Sequence, residues 1–179
     1  MNSSYIKLQL MKYFRYDNGY HFVCSECINN ADITAIDSKR LIEVEIKVSW
    51  NDFLNEFNEK SRNKTLKHKV YESLEKPYTN YVIPNYFYFC VTKELQHKCY
   101  EYLNEHRPKY GLLVVEDYKY RKSSYIKSIK PAKKLHDKKP SVKTWVEIGK
   151  RVQSEMIGLK EKQYEEEQAI ISFKENEND

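Results

Sequence analysis

Asp32, Glu45 and Lys47 are the residues whose types and spacing could do chemistry. Glu45 and Lys47 belong to the run Leu41-Ile42-Glu43-Val44-Glu45-Ile46-Lys47-Val48-Ser49, in which apolar and polar residues alternate. Successive side chains of a strand point to opposite faces, so Ile42, Val44, Ile46 and Val48 share one face and Glu43, Glu45, Lys47 and Ser49 the other. Taken alone, this is also the pattern of an amphipathic strand with a solvated face, where an exposed Glu and Lys pair contributes only about 0 to 1 kcal/mol. Asp32 favours the chemical reading. It begins the preceding short segment, and the turn Asp37-Ser38-Lys39-Arg40 folds that segment back, so that Asp32 and Glu45 can lie across from one another. Two carboxylates about 4 Å apart repel by about 4 kcal/mol at an effective dielectric near 20, a cost that a divalent cation reverses. Hard oxygen ligands suit Mg²⁺ or Mn²⁺, which keep waters and take phosphate oxygens as further ligands. Lys47 could hold or activate the attacking water and neutralise charge developing on the phosphate. The set is equipment for phosphodiester hydrolysis.

The elements that must position these residues follow from periodicity. Ser3 or Ser4 can cap a helix running to about Tyr16, with Ile6, Leu10 and Tyr13 or Phe14 on one stripe, before the turn Asp17-Asn18-Gly19. Tyr20 to Cys27, Asp32 to Ile36 and Leu41 to Ser49 read as a meander of antiparallel strands. Trp50-Asn51-Asp52 opens a single long polar helix to about Glu75, where Pro77 stops it. Tyr86 to Val91 is a continuous apolar run and should be a central strand covered on both faces. Lys93 to Glu105 reads as a helix, Gly111 to Val115 as a second buried strand and Tyr118 to Ile129 as a polar edge hairpin. Val142 to Ala169 forms a final Glu- and Lys-rich helix. The expected fold class is α/β, a mixed central sheet flanked by helices plus a C-terminal helix. In His21-x-x-Cys24-x-x-Cys27, residues three apart on an extended strand point to opposite faces, so the three are not expected to converge on zinc.

Composition narrows the partners. The chain has 179 residues, 40% of them apolar and 32% charged, enough for one domain with a real core. No segment approaches the roughly 20 apolar residues of a membrane helix, and Met1 to Tyr13 lacks the pattern of a secretory signal. Four cysteines are few for a disulfide-built domain, so a cytoplasmic protein is expected, in the host cytoplasm if the chain is phage-encoded. The net charge of +5 hides an asymmetry: Gln153 to Asp179 carries −5 and the rest +10, with +9 between Lys119 and Lys143 alone. Such a stretch attracts polyanions by counterion release, which makes DNA the first partner to consider, without excluding RNA. Lys60, Lys64, Lys67 and His68 fall within about two turns of the long helix and are candidates for phosphate contacts. Lys119, Arg121 and Lys122 alternate with Tyr118, Tyr120 and Tyr125, a pattern that suits a nucleic-acid strand. A solvated basic face explains the same charges without any ligand.

Asp32 followed across a tight turn by Glu45-Ile46-Lys47 resembles the active-site signature of the PD-(D/E)XK nuclease superfamily. Glu45 to Phe53, followed by Lys64-Thr65-Leu66-Lys67-His68-Lys69-Val70-Tyr71, is similar to the MmcB-like branch of bacterial DNA-repair-associated and phage proteins, as are Asn85 to Val91, Tyr110 to Val115 and Lys130 to His136. The resemblance covers roughly Tyr20 to Lys139. It implies a restriction-endonuclease-like core over residues 1–139; beyond it, composition reads as a helical extension over 140–172 and a disordered acidic tail over 173–179. It further implies that Asp32, Glu45 and the Ile46 carbonyl hold the metal, that Glu26 joins them through water, and that Lys47 is the catalytic lysine. Ala31 stands where the superfamily's name has proline, and the first helix offers no Glu to the site. The function so implied is a Mg²⁺- or Mn²⁺-dependent deoxyribonuclease of repair, recombination or phage DNA metabolism. The alternative is a nuclease fold kept for gripping DNA with little or no catalysis. Cutting both strands of a duplex commonly needs two sites, and the last helix could serve pairing of two copies.

Overall fold

The computed structural model describes residues 3–58, 62–74, 81–116 and 125–176. Helix α1 (Ser3–Lys12) runs into a wider turn over Tyr13–Asp17, and Gly19, at φ +69, redirects the chain into the sheet. Strands β1 (Phe22–Ser25), β2 (Ile33–Ile36) and β3 (Leu41–Lys47) form the antiparallel meander, paired Phe22 to Ile36 and Ile33 to Val44. Two helices follow, α2 (Trp50–Asn55) and α3 (Arg62–Ser73). Strand β4 (Tyr86–Thr92) then returns parallel to β3, and helix α4 (Gln96–His106) leads to β5 (Gly111–Val115), parallel to β4. Strand β6 (Ile126–Lys130) closes the six-stranded sheet antiparallel to β5, and α5 (Val142–Asn176) ends the chain. The strands lie in sequence order, so each parallel step is made by a helical crossover. The protein is thus α/β, a mixed sheet flanked by helices with a C-terminal helix, as composition and periodicity suggest.

Alternation decides what each face of the sheet meets. Ile42, Val44 and Ile46 of β3 pack with Cys90 of β4 against Ile6 and Leu10 of α1. The other face carries Phe87, Phe89 and Val91 of β4 with Leu112 and Val114 of β5, and it packs against Phe53, Val70, Tyr71, Cys99 and Leu103. Glu43, Glu45 and Lys47 stand in register with Phe87, Phe89 and Val91, so they sit on this second, aromatic face. A solvated polar face is therefore not what forms: every residue of β3 is buried.

Three small devices set the geometry of β3. At the tight turn before it, Asp37 Oδ1 accepts from the Lys39 and Arg40 backbone at 2.8 and 2.7 Å, and its Oδ2 takes two bonds from the Arg40 guanidinium. Asn85, 2% exposed, accepts from Leu41 N at 2.8 Å and donates to the His136 and Lys138 carbonyls, tying the start of β3 to the segment before α5. Ser49 caps α2 by accepting from the Asp52 N–H at 3.1 Å, so Asp52 is a first-turn residue here.

Some expectations are corrected. The long helix over Trp50 to Glu75 is two helices. Helix α2 tightens through i to i+3 bonds at Glu56 and Phe57 and ends, with Phe53 and Phe57 seated on Phe89 at ring separations of 5.0 and 5.7 Å and Glu56 turned inward to the sheet. Of the acidic end expected to be disordered, residues 173–176 continue α5, and residues 177–179 lie outside the described residues. Cys24 and Cys27 do meet, since Glu26 adopts φ +49 and turns the chain back. The Cys24 thiol bonds Cys27 and lowers the Cys27 pKa, while His21 packs on Trp145 instead. No helix among the described residues is long and apolar enough to cross a membrane.

Candidate active site

An open cleft of about 580 Å³ lies where β2 begins and β3 ends, under α3. Asp32, Glu45, Ile46, Lys47, Asp52, Lys64 and Lys67 all line it. The meander register continues one residue past Ile33 and Val44 to set Asp32 beside Glu45. Asp32 Oδ2 accepts from the Ile46 N–H at 2.8 Å, and its Oδ1 lies 3.5 Å from the Lys7 ammonium of α1. In an extended strand the N–H and C=O of one residue point to the same edge. The Ile46 carbonyl therefore faces the edge that carries Asp32.

Behind this mouth is a buried ionic cluster. Lys47, 3% exposed, places Nζ 2.6 Å from Glu56 Oε2 and 3.5 Å from Glu45 Oε2. Lys67 of α3 sets its ammonium 2.6 Å from Glu45, 3.1 Å from Glu43 and 3.7 Å from Glu56. Glu43 also accepts from the Tyr71 hydroxyl at 2.6 Å and from Asn29 at 2.9 Å. Lys64 reaches Glu56 at 2.9 Å while leaving nearly half of its side chain exposed at the mouth. Around the strand, Asp32, Glu43, Glu45 and Glu56 are matched by Lys7, Lys47, Lys64 and Lys67, so the charges balance.

The environment moves the ionisation of several of these groups. Burial pushes the Glu45 carboxyl up from its ordinary range, Lys67 pulls it back, and Glu56 pushes it up again. For Lys47 burial works against the charge, but Glu56 and Glu45 outweigh it and the pKa rises. Lys67 behaves likewise and rises further, held by Glu43 and Glu45. Glu56 is driven well below the carboxylate range: burial opposes its charge, and His68, Lys47 and Lys67 together overcome that. His68, buried against Phe57, Phe87 and Phe89, is lowered to about 4, chiefly by desolvation. Both lysines on the cleft floor are thus firmly charged.

The candidates from sequence divide accordingly. Asp32, Glu45, Ile46 and Lys47 come together in one cleft, and Lys64 stands at its edge. Lys67 and His68, expected to face phosphates, are 5% and 2% exposed. The break between α2 and α3 lets α3 lie on the sheet, so Lys67 is spent on Glu43 and Glu45, and His68 contacts Tyr110 and Glu56. Glu26 does not line the cleft. It is 61% exposed, bound to Lys7 at 2.7 Å and facing Arg151 at 3.8 Å, and Lys7 stands between it and Asp32. Lys60, Lys119, Arg121 and Lys122 lie outside the described residues. Sequence reasoning missed Glu56, Lys7, Tyr71 and Asn29. For Glu56 the signal was the aromatic pair Phe53 and Phe57, which turns that helix face to the sheet.

The donors suit a hard divalent cation. Asp32 and Glu45 supply carboxylate oxygens and Ile46 a carbonyl to the same cleft. Among the described residues no three His, Cys, Asp or Glu side chains cluster as metal ligands. Mg²⁺ retains several waters where a protein supplies few oxygens.

No family model matches the chain, and no curated protein matches it. A solved structure, the SPO1766 protein of unknown function from Silicibacter pomeroyi, is similar over 84% of this chain and 84% of its own, at 15% identity and a TM-score of 0.51. At that identity the likeness speaks for the fold alone.

Proposed function

We propose that the protein is a metal-dependent nuclease of the PD-(D/E)XK type, with a restriction-endonuclease-like core, acting on DNA. The observation that carries this reading is the meeting of Asp32 with Glu45 and Lys47 in one open cleft, reached by Lys64. Asp32, Glu45 and the Ile46 carbonyl would hold Mg²⁺ or Mn²⁺, which when bound supplies Lewis acidity and a water of lowered pKa. Lys47 keeps its charge because Glu56 and Glu45 raise its pKa, and its ammonium orients the attacking water and offsets charge building on the phosphate. Lys64 is half-exposed beside the cleft and suits a backbone phosphate. The basic excess outside the last helix draws the polyanion in.

One observation favours a second reading, a nuclease fold that grips DNA without cutting it: the Lys67 ammonium already neutralises Glu43 and Glu45. The two are separated by incubating the protein with linear, nicked, branched and single-stranded DNA and Mg²⁺ or Mn²⁺. Cutting that disappears in EDTA and falls at least a hundredfold in Lys47→Ala supports the enzyme. Absence of metal-dependent cutting on every substrate, or undiminished cutting by Lys47→Ala, removes it.

A further inference from the structure

Lys67 is a cation placed where a cation is wanted. Its ammonium lies within 4 Å of three carboxylates, Glu43, Glu45 and Glu56, and the side chain is 6% exposed. Burying three acids with no counter-charge would force them to take up protons or move apart. Lys67 meets that requirement from inside the chain for Glu43 and Glu45, while Lys47 and Lys64 serve Glu56. It also contacts Glu45 oxygen for oxygen: Oε1 is 2.6 Å from Lys67, and Oε2 is 3.5 Å from Lys47. Both oxygens of the carboxylate assigned to the metal are therefore already facing lysines.

We propose that Lys67 is the resident counter-cation of the acidic floor, and that a divalent ion enters by exchange, taking the Glu45 oxygen that Lys67 holds. This rests on the reading of the cleft as a metal site and adds how that site is set. An ammonium and a divalent cation on one oxygen repel each other, so the ion gains Glu45 only as Lys67 withdraws. The withdrawal needs no trip to solvent. Glu43 Oε1 at 3.1 Å and Glu56 Oε1 at 3.7 Å remain as partners, and the Phe87 ring face lies 5.6 Å from the same nitrogen. Lys67 thus keeps the acids folded without metal and weakens metal binding in return. It is a positioning residue: its effect on the reaction passes through Glu45.

The test measures Mn²⁺ affinity, by calorimetry and by the paramagnetic signal of the free ion, in the full chain, in Lys67→Met and in Lys67→Met/Glu43→Gln. The double variant removes one positive and one negative charge, so the floor keeps its charge balance, with Glu45 and Glu56 facing Lys47 and Lys64, even where the single variant does not fold. Each Lys67 variant is expected to bind Mn²⁺ at least tenfold more tightly than the unaltered protein, and Glu45→Gln added to the double variant abolishes that gain. Mn²⁺ should also raise the melting temperature of Lys67→Met more than that of the parent. Equal or weaker affinity in the variants overturns the exchange while leaving the cleft a metal site. No Mn²⁺ bound by any of these proteins overturns the exchange and the metal reading together.

Discussion

At the scale of single residues, the cleft is arranged by side chains that never face solvent. Glu56 is 1% exposed and carries no assigned chemistry, yet it is 2.6 Å from Lys47 and 2.9 Å from Lys64. Without it, Lys47 would rest on Glu45 alone, and the lysine proposed to orient water would compete for the carboxylate proposed to hold metal. His68 completes the support. Its Nδ1 is 3.0 Å from the Tyr110 hydroxyl and its Nε2 3.4 Å from Glu56, and burial lowers its pKa to about 4 from 6.5. A histidine with a depressed folded-state pKa leaves the unfolded chain holding more protons between pH 4 and 6.5. Stability attributable to it is therefore present above pH 6.5 and lost as pH falls towards 4. The shift corresponds to about 3 kcal/mol. Glu45, whose pKa is raised, slopes the other way where its window overlaps, so the difference between proteins is the quantity to read. Denaturant unfolding from pH 7 to 4 should show parent and His68→Gln converging as pH falls. A constant gap across that range would mean His68 is not held neutral.

At the scale of elements, the strands and the helices α1, α4 and α5 were legible, and the division of the Trp50 to Glu75 stretch into α2 and α3 was not. The alternation of Leu41 to Ser49 and the apolar run of Tyr86 to Val91 each encode one strand locally, and the turn chemistry of Asp37 to Arg40 fixes which pair meets. Glu45 and Lys47 could be found because they sit on the first of these strands, and Asp32 because it immediately precedes the strand that the turn folds against it. The same alternation could not tell a wet face from a covered one. What covers it is α3, whose approach depends on where α2 stops, and that stop comes from Phe53 and Phe57 meeting Phe89, a contact thirty-odd residues distant in sequence. Lys67 and His68 were misread for that reason: a basic helix face looks the same in sequence whether it meets phosphate or carboxylate. Asn85 was invisible for another. Its bonds to Leu41, His136 and Lys138 join three segments that no local pattern connects. Asn85→Ala leaves a buried Leu41 N–H and two carbonyls without partners. A loss of about 2 to 4 kcal/mol is expected in denaturant unfolding. A loss below about 1 kcal/mol would mean that water replaces the amide and that β3 is held by its strand neighbours alone.

At the scale of the molecule, charge is distributed so that the two ends of the chain oppose each other. The first turns of α5 are structural: Trp145 packs on Phe22, Ile148 is buried, Glu155 accepts from Ser25 N and Oγ at 3.0 and 2.7 Å, and Arg151 donates to the Ser25 carbonyl. These bonds cover the outer end of β1, which is otherwise the open edge of the sheet. Beyond Met156 every described position of α5 through Ile170 is exposed, and the stretch from Leu159 onward holds seven acids and three bases. The exposed positions through Ile170 contribute little to the core, and the net charge of −4 from Leu159 to the last residue subtracts from the positive field of the basic remainder. Ending the chain after Gly158 keeps Arg151 and Glu155 and raises the net charge from +5 to +9. The melting temperature is expected to change by no more than about 2 °C, since no buried side chain among the described residues is lost. Retention on DNA-bearing resin should rise, with elution moved to higher salt, because repulsion between the helix and the phosphates is gone. Elution at the same salt would mean that α5 projects beyond about 10 Å from the bound strand, outside the screening length at 0.1 M salt. Weaker retention would instead make α5 part of the binding surface, and the acidic helix would then belong with the grip on DNA rather than against it.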